Sequence, residues 1–394
     1  MPRFEPFAAL RYAPTVDLDK VIAPPYDVIS DSDIAALESL DEHNISWIDD
    51  PKGGEDRYRT AARRLDDWLA EGVLVQDDRP SFTIYRMAFT DAAGKDRIIS
   101  GVLGGLEVVD EGSGGVLPHE HTTRKAVNDR LDLTRATGTN VSPVWGLSLA
   151  SGLTGILTPP GEPIGAVTVD GVHHSVERVT DPARIAAIQQ IIGADDVLLA
   201  DGHHRYHISV LYRDEVRAAT GRHDTDAEYT LGFVNELVEH QLSIEAIHRL
   251  VDGLPTEDLV AALEPYFEIQ PMDAPVEPGT LTQMVDQARL VLLYPDSQAS
   301  WLIPRPGLFD DVRALDGAWL EKVFDDTDAV LTYQHGLTGM NQAVGSHSAG
   351  ILIRPTSLDE IMRTAREGLL MPPKSTFFTP KLRTGFVMRR TAKL

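Results

Sequence analysis

The alternation of two periodicities along this chain predicts a mixed α/β (α+β) protein with two domains. Helical-spacing runs such as Tyr58, Ala61, Ala62, Leu65, Trp68 and Leu69 are interleaved with short strand-like runs such as Val197-Leu198-Leu199-Ala200. The 394 residues, 42% of them apolar, are enough to build more than one core. The pattern changes near residue 250, which divides the chain into expected domains at 1–250 and 251–394.

Taken in order, residues 21–29 read as a strand entering a loop, with Val21 and Ile22 leading to Pro24-Pro25. Ser30 or Asp31 then caps a helix that runs to Leu40. A second helix is expected over 57–71, ended by Gly72. Strands follow at 81–90 and, as a Gly-containing run, at 98–109. The Gly-rich patch at 111–115 leads into Pro118-His119-Glu120. A helix at 129–137 precedes a strand at 141–149, and Asp170-Gly171 marks a hairpin turn. After a helix at 182–192, the buried-strand run at 197–200 stops at Asp201-Gly202 and a helix opens at His203. A strand is expected at 229–234. Beyond 255 helices and strands continue to alternate, with strands at 290–294 and 351–354. No internal repeat or low-complexity segment interrupts this order.

Composition removes several classes of function. The chain has no cysteine, so disulfides, Cys-ligated zinc and thiol nucleophiles are out. Sixty acidic against 36 basic residues give a net charge of −24, which repels nucleic acid and anionic membranes. A nucleotide must then be held by a local pocket of basic groups or backbone amides, with a divalent cation expected beside it. No apolar stretch reaches the ~18 residues of a membrane span. The first residues lack the layout of a signal peptide, so the expected location is the cytoplasm.

Three segments are candidates for chemistry. Asp201-Gly202-His203-His204-Arg205 lies where a strand hands over to a helix. Backbone N–H groups and the helix dipole favour an anion there, and Arg205, His203 and His204 add donors. Asp201 repels phosphate unless it holds Mg²⁺ or orients a neighbour. A well-capped helix with surface His and Arg is the plainer alternative. Second, His119-Glu120-His121 offers Glu120 as a general base, or stands as a charged loop. Its His spacing is not that of a helical zinc site. Third, residues 371–381 carry Lys374, Ser375, Thr376 and Lys381 on a Pro-stiffened stretch. That stretch is either an anion-binding segment or a packed arm. His248-Arg249, after a strand-like run, is a further candidate.

The ordered set Ala23-Pro24-Pro25-Tyr26-Asp27-Val28, His119-Glu120-x-Thr122, Asp129-Arg130, Ala200 to Tyr206 and Met371 to Thr376 resembles a large bacterial and archaeal family catalogued as a domain of unknown function. More distantly, Pro-His-Glu, Asp-Gly-His-His-Arg and Pro-Lys-Ser-Thr, in that order, resemble the archaeal free-serine kinases, which use ADP as phosphoryl donor. The resemblance implies a ParB/sulfiredoxin-like nucleotide-binding core with a second α/β domain and an active site in the cleft between them. It implies Glu120 as catalytic base with His119 beside it, and donor phosphates on Asp201, Gly202, His203, His204 and Arg205. It places Lys374, Ser375 and Thr376 on the segment that contacts substrate, while Mg²⁺ at Asp201 and a substrate contact from Arg249 are added from the residues themselves. Sulfiredoxin chemistry needs a Cys that this chain lacks, and the acidic charge argues against ParB-like DNA binding.

The expected activity is therefore a magnesium-dependent kinase moving a phosphoryl group from ATP or ADP to a small hydroxyl metabolite, serine first. The rivals are a nucleotide hydrolase or phosphatase, a non-catalytic nucleotide or metabolite binder, and a metal hydrolase built on His119, His121, His203 and His204. The expected partners are the nucleotide and the metabolite, with no nucleic acid or membrane. A homo-oligomer is left open.

Overall fold

The computed structural model describes the chain except residues 93, 111, 119–126, 373 and 394, and the side chains of 127 and 128. The chain divides into two compact units. The first comprises residues 1–89, 96–242 and 380–394, and the second 90–95 and 243–379. One change of unit falls between Leu242 and Ser243, so that the strand Ile247–Asp252 belongs to the second unit's sheet. The last fifteen residues return to the first unit, where Arg389–Arg390 pairs with Thr139–Asn140.

The first unit is built on a nine-stranded mixed sheet. Val197–Asp201 lies between Val116–Leu117, parallel to it, and Val144–Ser148, antiparallel to it. Val144–Ser148 in turn runs parallel to Tyr229–Glu236. The run of buried residues from Val197 to Ala200 follows from cover on both faces. Val197 and Leu199 join a core with Phe4, Phe82, Ile188 and Ile192. The helix His203–Thr220 sends Ile208, Tyr212 and Val216 into a separate cluster with Leu131 and Ala227, an i, i+4 stripe. A third cluster gathers Leu10, Tyr12, Val21, Ile45, Ile48, Leu65 and Trp68 around the N-terminal segments.

Local signals explain most elements. Ser30 caps Asp31–Leu40 through a capping box with Asp33. Asp170 and Gly171 both have positive φ, as the two-residue turn between Glu162–Val169 and Val172–Val179 requires. In the strand Asp96–Glu107, a side chain at Gly104 would run into the rings of Phe4 and Phe82, 2.4 and 2.8 Å away. Residues 21–29 differ from the strand expected there. Asp17 caps a short helix, Leu18–Val21, and a 3-10 turn covers Tyr26–Val28. Pro24-Pro25 between them supplies no backbone donor, so only Ala23 bridges, to Thr384.

The second unit carries a six-stranded sheet, antiparallel at every pairing. Leu290–Leu293 is buried throughout because both faces are covered. Leu290 and Leu292 face one core with Leu259, Phe267 and Leu320, while Val291 and Leu293 face another with Met284 and Met340. No described helix is long and apolar enough to cross a membrane.

Candidate functional site

The strand Val197–Asp201 ends on Asp201, and Gly202 adopts the left-handed conformation, φ 83°, as N-cap of His203–Thr220. Glycine is required twice over. Its φ disfavours a side chain, and a Cβ would sit 3.1 Å from the Arg205 guanidinium carbon and 3.2 Å from Val144 Cα. Gly202 has no side chain with which to cap the helix, so the dipole's positive end is left to a ligand or to groups from elsewhere.

Asp201 is paired on both carboxylate oxygens. Lys381 Nζ lies 2.6 Å from Oδ1 and Arg205 Nη2 lies 2.7 Å from Oδ2. Burial works to raise the Asp201 pKa, but Lys381 and Arg205 outweigh it and hold the carboxyl below its ordinary range. Arg205 is itself buried. It donates to the Pro143 carbonyl, and its Nη2 stands 3.6 Å from Asp27. Its buried Nε finds no hydrogen-bond partner among the described residues. Burial opposes the Arg205 charge, yet Asp27 and Asp201 keep its pKa above the usual value.

Asp27 and its neighbour Tyr26 tie the turn to the helix Val127–Thr137. Arg130 of that helix lies over the Tyr26 ring, 3.9 Å from its centroid. Arg130 also reaches Asp129 at 3.1 Å, Asp50 at 3.3 Å and Asp49 at 3.6 Å, and donates to the Asp49 carbonyl. Asp129 is further held by Arg57 at 2.9 Å and by the Tyr58 hydroxyl. Burial pushes the Tyr26 phenol up to about 12, only partly relieved by Arg205, so it stays protonated. Asp49 is 4% exposed, and its Oδ2 has no hydrogen-bond partner among the described residues. Burial pushes its carboxyl up to about 6, against the pull of Arg130 and Arg205.

Asp201, Gly202 and Arg205 are therefore brought together with Tyr26, Asp27 and Asp129-Arg130, segments far apart in sequence. His203 and His204 are half-buried in the helix's first turn. His119 and Glu120, with His121, lie outside the described residues. Their flanks do belong to this locus. Val116–Leu117, before them, runs parallel to Val197–Asp201, and Val127–Thr137, after them, carries Arg130.

The second unit holds the other four expected residues. Arg249 is buried in Ile247–Asp252, donates to its own Ile247 carbonyl, and lies 4.7 Å over the Tyr333 ring. Its neighbour His248 accepts the Ile353 N–H at 3.2 Å, and burial holds its pKa down at about 4, so the ring is neutral. Lys374 is exposed and has a positive φ of 62°. Ser375 donates its hydroxyl to Pro372 at 2.7 Å, its carbonyl accepts from Thr356 at 2.8 Å, and Thr376 is buried.

The expected magnesium does not fit Asp201 as this chain presents it. Both oxygens already face cations, and no group of three or more His, Asp or Glu able to hold a metal ion occurs among the described residues. Sequence reasoning gave no individual role to Asp49 or Asp27 and did not pair Lys381 with Asp201. Lys381 was visible only as one lysine in a Pro-rich stretch, and its pairing spans 180 residues.

Fold and site together define a mixed α/β protein whose strand-to-helix turn gathers Asp201, Arg205 and Lys381. The chain belongs to the family described as protein of unknown function (DUF1015), whose model matches residues 4–318. No curated protein matches it. Similar solved structures include a conserved hypothetical protein from Pyrococcus furiosus, 11% identical with a TM-score of 0.36, covering 71% of this chain and 92% of that one. A free serine kinase in complex with ADP is 12% identical with a TM-score of 0.38, covering 70% and 88%. C-terminally truncated SbnI from Staphylococcus aureus is also 12% identical at 0.38, covering 72% and 85%.

Proposed function

We propose that this protein is a small-molecule kinase that moves a phosphoryl group from ATP or ADP to a hydroxyl metabolite, serine being the first candidate. One observation carries the reading. Arg205 and Lys381 flank Asp201 at a helix start whose cap residue, Gly202, has no side chain, so two basic groups are gathered at one turn in a chain of net charge −24. Donor phosphates are assigned to the N–H groups that open the helix at Gly202, His203 and His204, with Arg205 behind them. The ordered motif resemblance supports the rest, including the ParB/sulfiredoxin-like placement and the assignment of Glu120 as base with His119 beside it. Lys374, Ser375, Thr376 and Arg249 are the candidates for holding the acceptor.

In this mechanism the chain's own groups do two things. The turn's donors hold and neutralise phosphate oxygens, where positioning and electrostatics supply most of the catalysis. Glu120 removes the acceptor's hydroxyl proton as the oxygen attacks. A donor-by-acceptor screen with ATP and ADP, read by mass, tests this. A phosphorylated hydroxyl product is expected, whereas free phosphate as the sole product supports a hydrolase instead. Glu120→Gln is expected to lower turnover by roughly 10²–10⁴-fold while nucleotide affinity changes little. Full activity in that variant removes Glu120 from the mechanism.

A further inference from the structure

We propose that Lys381 is a phosphate-binding residue of this turn and supplies the positive charge there, so that nucleotide binding requires no divalent cation. The inference rests on the phosphate-site reading above and deepens it. Asp201 immediately precedes the N-cap of an eighteen-residue helix, where an unpaired carboxylate would repel an anion. Its two oxygens are instead taken by two cations, Lys381 at 2.6 Å and Arg205 at 2.7 Å. Asp201 and Asp27, the latter 3.6 Å from Arg205, balance the two cations, so an arriving phosphate meets the positive end of the helix with Lys381 and Arg205 beside it as charged donors.

A second observation points to a ligand independently of the helix end. Arg205 is 9% exposed, its guanidinium is packed against Gly202, and its buried Nε has no partner among the described residues. Native structures rarely leave such a donor unsatisfied. A phosphate oxygen at the helix start, reached by Arg205 from one side of Asp201 and Lys381 from the other, would satisfy it. Asp201 then serves as the anchor that aims both cations. Lys381 reaches this place because residues 380–394 return to the first unit. Its ammonium can accompany an arriving phosphate without leaving Asp201, since it carries three donors.

The test is calorimetric titration of the full-length protein with ADP and with adenosine, in EDTA and in Mg²⁺. ADP is expected to bind wild type with affinities in EDTA and Mg²⁺ within about threefold. Lys381→Ala is expected to weaken ADP roughly 10- to 100-fold, the size of a charge-assisted hydrogen bond, and to leave adenosine unchanged. Lys381→Arg should restore most of the affinity and keeps the test valid if the alanine variant folds poorly. The double variant Asp201→Asn, Lys381→Met separates contact from mere neutralisation. Its ADP affinity is expected to stay low, and recovery to the wild-type level would make Lys381 only a counter-ion. Binding that demands Mg²⁺, or that ignores Lys381→Ala, overturns the inference and leaves the phosphate site standing. Failure of wild type to bind ADP under either condition removes the phosphate site itself, and the inference with it.

Discussion

Two helices of the first unit begin in opposite ways. At Pro182–Ile192 the preceding Asp181 turns its carboxylate back onto the Arg184 N–H at 2.9 Å, and proline occupies the first turn. The positive end of that helix is closed by its own chain. At His203–Thr220 the cap is Gly202, with no side chain to turn back, and the nearest acid, Asp201, faces Lys381 and Arg205. One helix start is built for stability alone. The other receives no side-chain cap from its own N-cap residue and has Arg205 and Lys381 gathered beside Asp201.

That contrast can be sharpened or broken by three substitutions, the largest effect first. Asp49 lies behind the open helix start, among Arg130, Arg205, Asp27 and Asp50. Its folded pKa is raised, to about 6, so its contribution to stability is present below the ordinary carboxylate range and is lost as pH rises through about 6. Asp49→Asn removes that dependence. In urea unfolding, the variant is expected to gain on wild type by up to about 3 kcal/mol between pH 4 and pH 7. A stability difference that stays flat over this range shows that Asp49 is ionised without penalty. Gly202→Ala is expected to cost about 2 kcal/mol, from the left-handed backbone and the contacts with Arg205 and Val144, and to weaken nucleotide binding as well. An alanine variant as stable and as tight-binding as wild type would show that the turn is not specially shaped. Asp181→Ala should cost about 1 kcal/mol of stability and leave nucleotide affinity untouched. If it changes that affinity, the two helix starts are not functionally distinct.

Much of this was legible in sequence where the signal is local. Asp170-Gly171 specified its hairpin, Ser30 its helix, and the apolar run before Asp201-Gly202 its buried strand. Residues 21–29 were misread because Val21 and Ile22 look like strand formers, while Asp17 and the two prolines impose a short helix and a turn. At the site, Asp201 to Arg205 could be singled out as a candidate because these residues are consecutive. Asp49 and Lys381 could not, since their roles come from pairings with Arg130 and Asp201 at separations of 81 and 180 residues. No periodicity or spacing rule reports such ion pairs. Charge composition gave the constraint that a nucleotide needs a local basic pocket, but it could not say that Lys381 would stand beside Asp201.

The central claim is that nucleotide phosphates dock where His203–Thr220 begins. A crystal structure of the wild-type protein with ADP tests it most directly. The account predicts a phosphate oxygen at about 3 Å from a backbone N–H of residues 202–204, with the guanidinium of Arg205 beside it. ADP bound with its phosphates away from this turn would contradict it.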